Sequence, residues 1–164
     1  MLVVDTSAFV SLAVGNVLTV VVDEFEVGTT TAVLDELRET AEYDDPHGEA
    51  ASRALELAPE IGVCDADERA EAFVTSRIDI GEASCVVAAH DVDAAFLVTD
   101  DFRALPERRK LVDANVALSP VVLRALVERA ALDEEGAEAA FEAIAEGRDW
   151  LGAPIHRYAR DRFE

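Results

Sequence analysis

Asp5, Glu36, Glu82 and the adjacent pair Asp100-Asp101 are acids whose settings distinguish them within a very acidic chain. Asp5 closes the apolar run Leu2-Val3-Val4, and Asp100-Asp101 follows Ala95-Phe96-Leu97-Val98 and Thr99. Both patterns are those of a buried parallel strand running into a turn, which puts carboxylates at the carboxyl ends of strands, where open parallel sheets collect functional groups. Glu36 flanks the apolar face Val33, Leu34, Leu37 and Ala41 of a predicted helix, and Glu82 opens an Ala/Val-rich one. Brought together, such carboxylates offer hard oxygen ligands to Mg²⁺ or Mn²⁺ and a setting for an activated water, as phosphodiester hydrolysis requires. Each also has an ordinary use taken singly: a helix cap for Asp5, a solvated flank for Glu36, a first-turn acid for Glu82, a turn for Asp100-Asp101.

The elements that must position these residues alternate. Leu2-Val3-Val4 predicts a first strand, residues 7 to 14 and 17 to 25 two short helices, and Val27-Gly28-Thr29 a second strand. Thr30 or Thr31 caps a helix reaching about Glu42. Beyond the turn at Asp44 to Gly48 a helix runs to near Pro59, and Ile61 to Cys64 is a third strand. Asp67 caps a helix to about Arg77, residues 82 to 90 form the next, and 95 to 98 the fourth strand. A helix from 102 to 110 precedes a fifth strand near Val116, and Ser119-Pro120 begins a helical region whose last segment, Trp150 to Glu164, reads as less regular. Alternation of this kind predicts an α/β fold around a parallel sheet of about five strands. The strand-and-helix alternation would span 1 to 118, with 119 to 164 a helical extension packed on the same domain.

Four blocks in this order resemble the PIN-domain family, to which the VapC-type ribonuclease toxins belong: VVDTSAF at 3 to 9, TTAVLDEL at 30 to 37, GEASCVVAA at 81 to 89 and LVTDDF at 97 to 102. No block is specific alone; their succession carries the resemblance. It implies a three-layer PIN-like sandwich and a metal-dependent endoribonuclease with Asp5, Glu36, Glu82 and Asp101 as catalytic acids. The metal would be held by Asp5, Glu82 and the Asp100/Asp101 corner, where Asp101 matches the Thr-x-Asp pattern and Asp100 is the adjacent alternative. Thr6, Ser7 and Thr99 are supporting hydroxyls. Arg38, Arg103 and Arg108 are candidate contacts to substrate phosphate, although Arg108-Arg109-Lys110 also reads as a solvated helix end. The resemblance further implies RNA as substrate, homodimerisation, and an antitoxin partner whose helix could lie near the site.

The formal net charge of -21 opposes a polyanionic substrate. Thirteen of the 14 basic residues are Arg, and this Lys-poor, acid-rich composition looks like that of salt-loving archaea. At about 1 M salt the Debye length is about 3 Å, so long-range repulsion is screened and contacts at the site decide. Cys64 and Cys85 read as buried free thiols, and the three His show no zinc spacing. The N-terminus carries no basic, apolar export pattern, and the uncharged stretch Thr6 to Val22 is broken at Gly15-Asn16, so a cytoplasmic protein without a membrane span is expected. A dehalogenase-like phosphatase would need Asp-x-Asp where Ser7 stands, and a receiver would need a Lys at the last strand, whereas Lys110 precedes it. The remaining alternative is a PIN fold that binds or assembles without catalysing.

Overall fold

In the computed structural model all 164 residues are described, apart from the side chain of Asp67. Five short strands, β1 (Leu2–Val4), β2 (Val27–Thr30), β3 (Gly62–Cys64), β4 (Phe96–Val98) and β5 (Asn115–Ala117), form one all-parallel sheet in the order β3-β2-β1-β4-β5. Leu2, Val3 and Val4 pair in register with Phe96, Leu97 and Val98, and Leu2 with Val27 on the other side. From β1 the chain winds outward through β2 to β3; from β4 it winds the opposite way to β5. The connections therefore diverge between β1 and β4, and that switch point is where a doubly wound sheet opens a crevice at its carboxyl edge.

Ten helices surround the sheet in a three-layer α/β sandwich: α1 (Thr6–Val14), α2 (Leu18–Glu24), α3 (Thr31–Thr40), α4 (Pro46–Glu56), α5 (Asp67–Ala70), α6 (Ile80–Asp91), α7 (Leu105–Leu111), α8 (Ser119–Glu128), α9 (Glu134–Gly147) and α10 (Pro154–Phe163). The caps have local causes. The side chain of Thr30, rather than Thr31, accepts from Val33 N to start α3, and Asp133 accepts from Gly136 N to start α9. Phe141 and Ile144 of α9 belong to the same core as Val3, Leu97 and Phe9, so residues 119–164 share one hydrophobic interior with the sheet. Gly147 closes on Val14 and Gly15 on Ile144, which lets α9 lie directly against α1.

Several expectations are corrected. The helix expected from Asp67 to Arg77 is the short α5 followed by a single 3-10 turn at Glu71–Phe73; the Asp67 cap itself lies outside the described residues. Thr75 accepts from Arg77 N and Ile78 N, a local arrangement that competes with helix. Helix α7 starts at Leu105 instead of about 102, and in the turn before it Asp101 Oδ1 accepts from the N–H groups of Arg103 and Ala104. The tail is regular after all, Pro154 standing at the start of α10. Cys64, on edge strand β3, is only half-buried, whereas Cys85 is fully buried and burial pushes its thiol up; both are free. Among the described residues no single helix is long and apolar enough to cross a membrane.

Candidate active site

One cleft of about 360 Å³ is lined by Asp5, Glu36, Asp79, Glu82 and Asp101, together with the hydroxyls of Thr6 and Ser7. Asp5 leaves β1 and Asp101 leaves β4, so these two acids stand at the switch point itself. Glu36 comes from α3 and Glu82 from the first turn of α6. Residues from four separate stretches of chain are thus gathered by the sheet order.

Asp5 serves structure and site together. Its Oδ1 caps α1 through Ala8 N at 2.9 Å and accepts from the Ser7 hydroxyl at 2.7 Å. Ser7 in turn accepts from Asp100 N at 2.9 Å, tying the end of β1 to the end of β4. The Thr6 hydroxyl donates to Glu36. Thr99 accepts from Asp101 N, which steadies that acid's backbone. Glu82 forms a capping box with Asp79: Asp79 Oδ1 accepts from Glu82 N at 2.9 Å and Glu82 Oε2 from Asp79 N at 3.0 Å.

Arg108 is the side chain the sequence misplaces most. It is fully buried, neither a solvated helix end nor a surface contact for phosphate. Its Nη1 lies 2.7 Å from Asp5 Oδ2 and its Nη2 2.7 Å from Glu82 Oε1. The second approach is misaligned for a hydrogen bond, leaving Nη2 and Nε without one. One guanidinium therefore serves two carboxylates. It remains cationic throughout, but it does not fully offset the crowding: burial raises the Glu82 carboxyl to about 7, with Arg108 opposing. Glu36 is also raised, first by burial and then by the charges of Asp79 and Asp5, while the Thr6 hydrogen bond works against the rise.

Asp100 does not line the cleft. Its Oδ1 accepts from Ser119 N at 2.8 Å and its Oδ2 from the Ser119 hydroxyl at 2.7 Å, so the expectation of Asp100 as a metal ligand is withdrawn. The same contact explains why Ser119 is not the cap of α8: its side chain is committed to Asp100, and Leu118 holds the cap position. Burial raises the Asp100 carboxyl to about 6 against those hydrogen bonds. Arg38 is exposed and paired with Asp35 at 2.6 Å; Arg103 is exposed and borders a neighbouring hollow.

The donor set fits a hard divalent cation in kind. Five carboxylates and the hydroxyls of Thr6, Ser7 and Thr40 share the cleft, and burial together with the charges of Asp79 and Asp5 raises Glu36, a cost that a bound cation relieves. As placed, the acids are not yet a coordination sphere: among the described residues no three His, Cys, Asp or Glu side chains are gathered as a metal site. Asp79, His47 and Arg148 also line the cleft and were not singled out from sequence. The Asp-x-x-Glu spacing of 79 to 82 is a capping signal that could have found the first; nothing local marks the other two. No family model, curated protein or solved structure matches the chain.

Proposed function

We propose that this chain is a PIN-like, metal-dependent nuclease that hydrolyses RNA phosphodiester bonds. The observation that carries the reading is the meeting of Asp5, Glu36, Glu82 and Asp101 in one cleft at the switch point of a parallel sheet. Asp5, Glu82 and Asp101 would hold Mg²⁺ or Mn²⁺, which when bound lowers the pKa of water and neutralises phosphoryl oxygens. Glu36, raised by burial and by its acidic neighbours, is suited to accept a proton from water at its free oxygen while Thr6 holds the carboxylate in place. Arg108 keeps Asp5 and Glu82 fixed from beneath. A toxin's role, an antitoxin partner and a homodimer accompany the reading as proposals.

The variants that test it are Glu36→Gln and Asp101→Asn, since neither residue pairs with Arg108. Each should lower Mn²⁺-dependent cleavage of an RNA oligonucleotide by about 100-fold or more while the melting temperature holds. Asp5→Asn is a poorer probe, because it removes the charge partner of a buried guanidinium at a cost of about 3 kcal/mol or more. Cleavage undiminished in both Glu36→Gln and Asp101→Asn would remove these acids from the mechanism, and wild-type protein without Mn²⁺-dependent cleavage would end the nuclease reading, leaving the non-catalytic binding module.

A further inference from the structure

Asp79, Glu82 and Asp101 line the acid cleft and also a second hollow of about 690 Å³ beside it. These acids are therefore a ridge between two concave surfaces, and each surface carries a cation. On the cleft side stands Arg148, at the end of α9. His47, near the start of α4, bonds through Nε2 to the Gly147 carbonyl at 2.8 Å and so fixes the turn that presents Arg148. Among the described residues Arg148 makes no ion pair, and its Nε is buried without a hydrogen-bond partner. A guanidinium that lines the same cleft as five carboxylates and forms an ion pair with none of them is open to an incoming anion.

The second hollow is bordered by Phe102 and by two arginines, Arg103 and Arg77, of which Arg77 pairs with Glu107 at 3.8 Å. Arg103 likewise has no ion pair among the described residues, and its backbone N–H is held by Asp101 Oδ1 at 3.0 Å. Phe102 is half-buried against Tyr158, with ring centroids 5.3 Å apart. Cations suit a phosphate backbone, and an aromatic ring beside one of them suits a base that is free to stack, which a duplex does not offer.

We propose that a single strand of nucleic acid crosses this acid ridge, with one backbone phosphate on Arg148 and the adjoining nucleotide in the hollow of Arg103 and Phe102. The inference rests on the phosphodiesterase reading above and adds to it the strand form and the cations that hold it. Residues 119–164 then complete the site, because α9 delivers Arg148.

The test is fluorescence anisotropy with a labelled single-stranded RNA oligonucleotide in EDTA, across a KCl series, using the full chain. Arg148→Gln should weaken binding about ten-fold and flatten the salt slope by about 0.7, the value for one phosphate contact on a single strand. Arg148→Lys should recover most of the loss. Phe102→Leu should weaken the single strand five-fold or more and leave a duplex of the same sequence unaffected. Equal affinity for wild type and Arg148→Gln, with wild type still cleaving in Mn²⁺, overturns the inference and spares the nuclease reading. A duplex bound as tightly as the single strand overturns the strand assignment. Wild-type protein that neither binds nor cleaves RNA overturns the reading and the inference together.

Discussion

Two neighbouring acids, Asp100 and Asp101, show how one residue of register separates structure from chemistry. Asp101 faces the cleft; Asp100 turns inward and spends both oxygens on Ser119. Asp100→Asn should therefore leave cleavage within a few-fold of wild type, in contrast to Asp101→Asn. Its effect belongs to stability. The buried Asp100 carboxyl is raised to about 6 from the ordinary 3.8, so between about pH 4 and pH 6 the folded state keeps a proton that the unfolded state has released. Raising the pH through that window withdraws stability, by roughly 3 kcal/mol at most if the whole shift is realised. Asparagine does not titrate and can keep both contacts to Ser119. Thermal melts should show wild type losing ground to Asp100→Asn from pH 4 to 6, with the gap constant above; parallel curves would mean that Asp100 is not the titrating group. Sequence could place a carboxylate at the end of β4, since a short apolar run ending in acids is a local pattern. It could not say which of two adjacent side chains turns inward, because the partner that decides this, Ser119, is distant in sequence.

At the scale of elements, the strand succession and the parallel sheet were legible because each strand is a short apolar run between helix signals. The carboxyl-end position of Asp5 followed from that alone. Arg108 was not legible: a Glu-Arg-Arg-Lys run on a short helix has the composition of a solvated face, and only the packing of α7 beneath the switch point buries one of its arginines. His47 and Arg148 escaped for the same reason, being brought in by α4 and α9 through contacts spanning 100 residues. The approach of α3 to α6 yields a prediction of its own. Gly81, in the first turn of α6, leaves the space that the Glu36 carboxylate occupies, and a Cβ there would collide with Glu36 Oε1. The colliding group is the end of a flexible side chain, so it can swing aside at little cost to folding. Gly81→Ala should lower cleavage by about ten-fold or more through displacement of Glu36, while shifting the melting temperature by only a few degrees. A loss of melting temperature proportionate to the loss of activity would show instead that the backbone of α6 had moved.

For the molecule as a whole, a net charge of -21 sets the terms on which it can fold and meet a polyanion. At low ionic strength the acids repel one another across the surface and repel nucleic acid at a distance, which weakens the compact state and slows encounter. Added KCl shortens the Debye length from about 10 Å at 0.1 M to about 3 Å at 1 M and removes both penalties. The opposing effect is the screening of the contacts that hold the substrate, and its size depends on how many there are. With Arg148 and Arg103 as the cations on the proposed track, two contacts at about 0.7 each predict a loss of affinity of about 25-fold for a tenfold rise in salt, before relief of the global repulsion is counted. The kcat/KM for a single-stranded RNA should accordingly fall by less than about tenfold between 0.2 M and 2 M KCl, or rise, while the melting temperature climbs over the same range. A loss of 1,000-fold or more over that tenfold range, which at about 0.7 per contact marks about four or more phosphate contacts, would show that substrate is held by a broader basic surface, which this acidic chain would have to assemble from a second copy or a partner.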